Sequence, residues 1–190
     1  MRISETKYIQ NSIPKELNEV IIKALDFYPD MKNVKIEFVL SENIRKSVMQ
    51  AQPRFNTMLG SRKDRSYIIK ISRFFKLKGN VKPIQELPED VLIGWIGHEL
   101  GHIMDYLNRS NWPLFLFGIG YLTSKSFIIA AERVADTYAV DHGLGDYILS
   151  TKNFILHEAG MPEKYIQKIN KLYLPPEEII YMMENRSILD

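Results

Sequence analysis

His98 and His102 lie four residues apart with Glu99 directly after the first, in the stretch IGWIGHELGHIMDY from Ile93 to Tyr106. If that stretch is helical, one turn separates the two imidazoles and both can reach a single metal ion. Glu99 is then offset by about 100° around the axis. It borders the ion without ligating it, which is where a general base must sit to take a proton from a metal-activated water. The chemistry these three residues could do together is hydrolysis. The chain holds 4 histidines, and two of them make this pair. Two histidines on a busy amphipathic helix are the plainer alternative. Gly97 and Gly101 weigh against it. Each costs about 1 kcal/mol relative to alanine in a helix interior, so glycines beside the histidines point to another backbone approaching closely.

A catalytic zinc site usually takes three protein ligands. The extended metzincin pattern would need glycine at Asp105 and histidine at Asn108, and neither is there. The alternative is a carboxylate on a later helix. In ERVADTYAVDHG, Glu132 and Asp136 again stand at i and i+4. Glu132 is the candidate third ligand, and Asp136 can accept a hydrogen bond from the far ring nitrogen of a ligating histidine. Asp136, Asp141 and His142 are the competing ligands. Ala131, Ala135 and Ala139 recur every four positions and would let this helix pack closely against Gly97 or Gly101.

HELGH followed by E-x-x-A-D-x-x-A-x-x-x-G resembles the gluzincin metallopeptidases of the CAAX prenyl protease and HtpX-like group. The resemblance spans Leu92 to Gly143. It implies that His98, His102 and Glu132 bind one catalytic zinc ion, that Glu99 is the base and that Asp136 supports a histidine. It also implies a zinc-dependent endopeptidase acting on a peptide or protein. Membrane members of that group carry transmembrane helices. Here only WPLFLFGIGYL, Trp112 to Leu122, and the nearby FIIAA are strongly apolar. Eleven residues are too few to span a bilayer as a helix, so the chain reads as a compact, soluble version. Trp112–Leu122 is then buried core, a packed hairpin or a peripheral membrane contact. A non-catalytic zinc-binding regulator and a membrane-peripheral protein that keep the fold are the rival readings.

Other features bound the reading. With no cysteine, disulfides and thiolate metal sites are excluded, and a transition metal must be held by His, Asp or Glu. A net charge of +2 gives no case for a nucleic-acid partner. The N-terminal stretch MRISETKYIQNSIPKEL lacks a continuous apolar core, so no secretory signal is expected, and a cytoplasmic location fits.

The elements that must position the site follow from periodicity. PKELNEVIIKALDFYP spaces Leu17, Val20, Ile21 and Leu25 as one helical face. NVKIEFVLS alternates as a half-buried strand. AQPRFNTMLGSRKDRSYIIKISRFF reads as a hairpin, with a polar turn around Gly60 to Asp64 and a second strand from Ser66. SYIIKIS, Ser66 to Ser72, is the candidate sheet edge for holding a substrate strand. From Pro88 the pattern turns helical. The HELGH helix opens on a proline and two acids, and a second runs from about Ser126 to His142 and stops at Gly143. DYILSTKNFILHE, PEKYIQKINKLY and PPEEIIYMMENR supply three further helices. The expectation is a single α+β domain over residues 1–190, zincin-like, with a small antiparallel sheet against two zinc-ligand helices and a helical C-terminal part. Tyr138, His142, Tyr147 and His157 are unranked candidates for stabilising a transition state.

Overall fold

The computed structural model describes residues 12–42, 44, 47–58, 61, 64–110, 120 and 124–186. Trp112–Leu122 falls almost wholly outside the described residues. So do the polar turn's Gly60, Arg62 and Lys63.

Helix α1 (Asn18–Asp26) precedes strands β1 (Lys35–Ser41), β2 (Met49–Pro53) and β3 (Ser66–Ser72). A short hairpin, β4 (Phe74–Leu77) and β5 (Asn80–Pro83), leads to α2 (Glu89–Asn108). Then come α3 (Lys125–Asp141), α4 (Gly145–Asn153), α5 (Glu163–Leu172) and α6 (Pro176–Arg186). The class is α+β, as the order of periodicities implies.

Three expectations about the sheet are corrected. The first concerns its pairing. The larger sheet runs β1-β3-β2; β2 and β3 form the antiparallel hairpin, but β1 pairs with β3 in parallel. The sheet is mixed rather than antiparallel. The second concerns SYIIKIS. With β1 on one side and β2 on the other, β3 is the central strand and cannot accept a substrate strand. Its alternating Tyr67, Ile69 and Ile71 are fully buried. Of the two edges, β2 is the one that packs on α2. The apolar run through Phe75 is also not one strand: β3 stops at Ser72, and Phe74 starts the separate β4–β5 hairpin. Lys78 and Gly79 make its tight turn, both at positive φ, the two-residue geometry that matches strand twist.

Helix α2 organises the core. It opens on Pro88 with Glu89 and Asp90 in its first turn, where acids favour the positive end of the helix dipole. From Val91 to Ile103 every residue is buried, and the helix packs against α1, β2, α3 and α4. A helix wrapped on all faces belongs to the centre of a core. Tyr28, from the turn after α1, is fully buried and donates its phenol to the Gly97 carbonyl of α2 at 2.7 Å.

Tyr28, Tyr106 and Tyr173 share one electrostatic consequence. Burial, reinforced by nearby carboxylates, holds all three phenols above the ordinary value of 10.0. The unfolded chain ionises these phenols near pH 10 and the folded chain resists, so their contribution to stability is fully present below that pH. It is lost as pH rises from there through the folded values. Among the 10 tyrosines, these three are expected to ionise together with alkaline unfolding rather than before it. Tyrosinate absorbance followed alongside circular dichroism checks this. A titration in which all phenols ionise while the fold persists would contradict it.

Candidate metal centre

The i, i+4 spacing on α2 puts His98 and His102 side by side, ring centroids 4.8 Å apart. Helix α3 crosses α2 at Gly101: a Cβ there would stand 2.3 Å from the Ala135 carbonyl oxygen. Only the absence of a side chain at 101 allows that approach, which is the reason for glycine inside this helix. Ala131, Ala135 and Ala139 are all buried on the facing side. Gly97 meets the Leu144 side chain instead. Gly94, one turn earlier, lets the Tyr147 carbonyl of α4 come equally close.

The close crossing delivers Glu132 to the histidines. Its Oε2 lies 3.1 Å from His98 Nε2 and 3.5 Å from His102 Nε2. His98, His102 and Glu132 each offer one donor atom, all within 4.8 Å of one another. One turn along α3, Asp136 Oδ1 accepts from His98 Nδ1 at 2.8 Å. That bond leaves Nε2 as the ring atom facing Glu132. Asp136 Oδ2 accepts from Lys152 Nζ of α4 and from the Leu174 backbone N–H, both at 3.0 Å. Glu99 is offset from the histidines as helical geometry requires, and its Oε2 accepts the Ala51 N–H of β2 at 2.6 Å. Tyr106 stacks along His102 at 6.1 Å and Tyr173 lies 5.3 Å from His98.

The electrostatics of this group ask for a cation. Glu99, Glu132, Asp136 and Lys152 are all buried, at 6% exposure or less. With both imidazoles neutral, three carboxylates face one ammonium, and a divalent ion balances the remaining two charges. Without such an ion the group recruits a proton. Burial pushes the His98 imidazole down, but hydrogen bonds to Asp136 and Glu132 and their charges outweigh it and raise it to about 10. Burial pushes Glu132 up, and the two histidines more than reverse this, holding it well below the usual carboxylate range. Burial also pushes Glu99 up; His102 and His98 oppose the shift and Glu132 adds to it. A set of two imidazoles and one carboxylate, on two helices fixed by backbone contact, could hold a metal ion.

The remaining candidates lie elsewhere. His142 stacks on Tyr28 at 4.4 Å with its Nδ1 on the Tyr138 carbonyl. Tyr138 accepts from Asn108, Tyr147 packs edge-on to Phe27, and His157 is exposed. Asp141 is exposed too. None of these residues is in the His98 group.

Residue typing missed three contributors: Lys152, Tyr173 and the Ala51 N–H. A signal existed for Lys152. It shares a helical face with Ile148 and Ile155, both buried, so its phase placed it inward. Tyr173 and Ala51 lie outside any motif.

A small cavity of about 50 Å³ opens beside His98 and Glu99. Its walls include Trp95, Ile148, Ile155, Tyr165 and Tyr173, and it has room for a few waters. Among the described residues, no helix is long and apolar enough to cross a membrane. In comparisons with known proteins, no family model, no curated protein and no solved structure matches the chain.

Proposed function

We propose that the chain is a zinc-dependent endopeptidase of gluzincin type on a zincin-like fold. The observation that carries the reading is the buried His98, His102 and Glu132 group with Glu99 beside it. A metal holder needs only the first three; a carboxylate placed next to them without joining them is what general-base chemistry requires. His98, His102 and Glu132 hold the ion, and Asp136 orients the His98 ring. A bound zinc ion supplies Lewis acidity toward the scissile carbonyl and a reactive water at neutral pH. Glu99 takes the proton from the attacking water and passes it to the departing amine. Tyr173 and Tyr106, whose rings lie beside His98 and His102, are the phenols available to meet charge developing there. A polypeptide approaches along β2, the sheet edge whose Ala51 N–H already meets Glu99.

The second reading, a zinc-holding protein without peptidase activity, draws on closure of the site. His98, Glu99, His102 and Glu132 are each 6% exposed or less, and the adjoining cavity is small, about 50 Å³. One experiment separates the two. Quenched fluorescent peptides and an unfolded protein are offered to the zinc-loaded chain, with and without a chelator. The endopeptidase reading expects cleavage that chelation removes and zinc restores. Zinc uptake with no cleavage of either substrate favours the second reading.

A further inference from the structure

We propose that Lys152 is a positioning residue of the metal centre, acting through Asp136 to hold the His98 ring with Nε2 presented to the ion. The inference rests on the reading of His98, His102 and Glu132 as metal ligands. Lysine is almost never fully buried unless paired, yet Lys152 is 5% exposed. Its surroundings explain where the side chain is spent. Nζ donates to Asp136 Oδ2 at 3.0 Å and sits 5.0 Å from the centre of the Tyr173 ring. That ring lies 5.3 Å from the His98 ring.

An ammonium can only donate and a carboxylate can only accept. Lys152 and the Leu174 N–H together commit Oδ2, so the carboxylate plane is fixed with Oδ1 toward His98 Nδ1. The histidine then has one ring orientation, with Nδ1 bonded and Nε2 facing Glu132. Without Nζ, one backbone donor is left on Oδ2 and the carboxylate can turn. Lys152 therefore links α4 to the ligand pair on α2 and α3 without touching the ion. Its neighbour Thr151 is equally buried but donates to the Val91 carbonyl at 3.0 Å, away from Asp136. Thr151 reports on loss of α4 packing alone.

The test is zinc affinity, measured by competition with a chromophoric chelator, for wild type, Lys152→Met, Lys152→Arg, Thr151→Val, Asp136→Asn and the Asp136→Asn/Lys152→Met pair. Removing a partner that orients a ligand typically costs about 10–100-fold in metal affinity, and that loss is expected for Lys152→Met. Lys152→Arg should recover part of it and Thr151→Val should stay near wild type. Because Lys152 acts through Asp136, the double variant should bind zinc no more weakly than Asp136→Asn alone. If Lys152→Met does not fold, that last comparison carries the test. In the zinc-loaded wild type the His98 Nδ1–H should give a slowly exchanging proton resonance that Lys152→Met loses. Unchanged affinity in Lys152→Met, equal losses in Lys152→Met and Thr151→Val, or losses that multiply in the double variant would overturn the role while leaving the metal ligands standing. A wild type that takes up no zinc overturns the ligand assignment and the role with it.

Discussion

Replacing Glu99 with glutamine is expected to lower kcat for peptide cleavage by about 10²–10⁴-fold, the usual worth of a positioned general base. Zinc content should remain at one ion per chain. The amide keeps the size of the side chain and an oxygen that can accept the Ala51 N–H, now bonded to Glu99 Oε2. What it loses is the ability to take a proton. Neither KM nor the melting temperature should move much, because glutamine fills the same buried space without a charge to desolvate. Steady-state kinetics beside elemental analysis of the same preparation checks the prediction. A variant that cuts as fast as wild type removes Glu99 from the chemistry. A variant that loses zinc makes it a ligand.

The second large effect belongs to Glu132. Alanine at 132 removes the carboxylate that lies 3.1 Å from His98 Nε2 and 3.5 Å from His102 Nε2. Two imidazoles alone are a poor zinc site, so metal content after removal of loosely bound ions should fall from one equivalent toward zero. A ligand that binds the folded chain alone adds about 4.1 kcal/mol of stability at a thousandfold excess over Kd. Wild type should therefore melt at a temperature that rises with zinc concentration, and Glu132→Ala should not. If the variant retains zinc, the third ligand is another residue, and Asp136, two hydrogen bonds away through the same histidine, is the next to substitute.

Much of the site was legible because α-helical spacing does the geometric work. The four-residue steps from His98 to His102 and from Glu132 to Asp136 place each pair on one face whatever else the chain does. The glycine at 101 and the alanines of α3 announced the close crossing that brings the faces together. The sheet was less legible for the opposite reason. Alternation in Tyr67, Ile69 and Ile71 says that one face is buried but not which strands flank β3. Its parallel pairing with β1 joins segments about thirty residues apart, and no local signal records it. Lys152 escaped for a third reason. Residue type assigns lysine to solvent, and only the helical phase it shares with Ile148 and Ile155 argues for burial. The β4–β5 hairpin was hidden inside an apolar run whose break at Arg73 is slight, although Lys78-Gly79 carries the turn.

The bonds of Asp136 have a kinetic meaning as well. They gather His98 from α2, Lys152 from α4 and the Leu174 N–H beyond α5, partners that stand 38, 16 and 38 residues away along the chain. Contacts that close long loops pay their entropy before they give any return, and two of these three bonds span 38 residues. Interactions absent from the folding transition state slow unfolding and leave folding speed alone. If the junction closes after the transition state, an ion held between α2 and α3 would act as a latch on a finished structure. It would prolong the life of the native chain without guiding its assembly, so added zinc would slow unfolding and leave the folding rate unchanged.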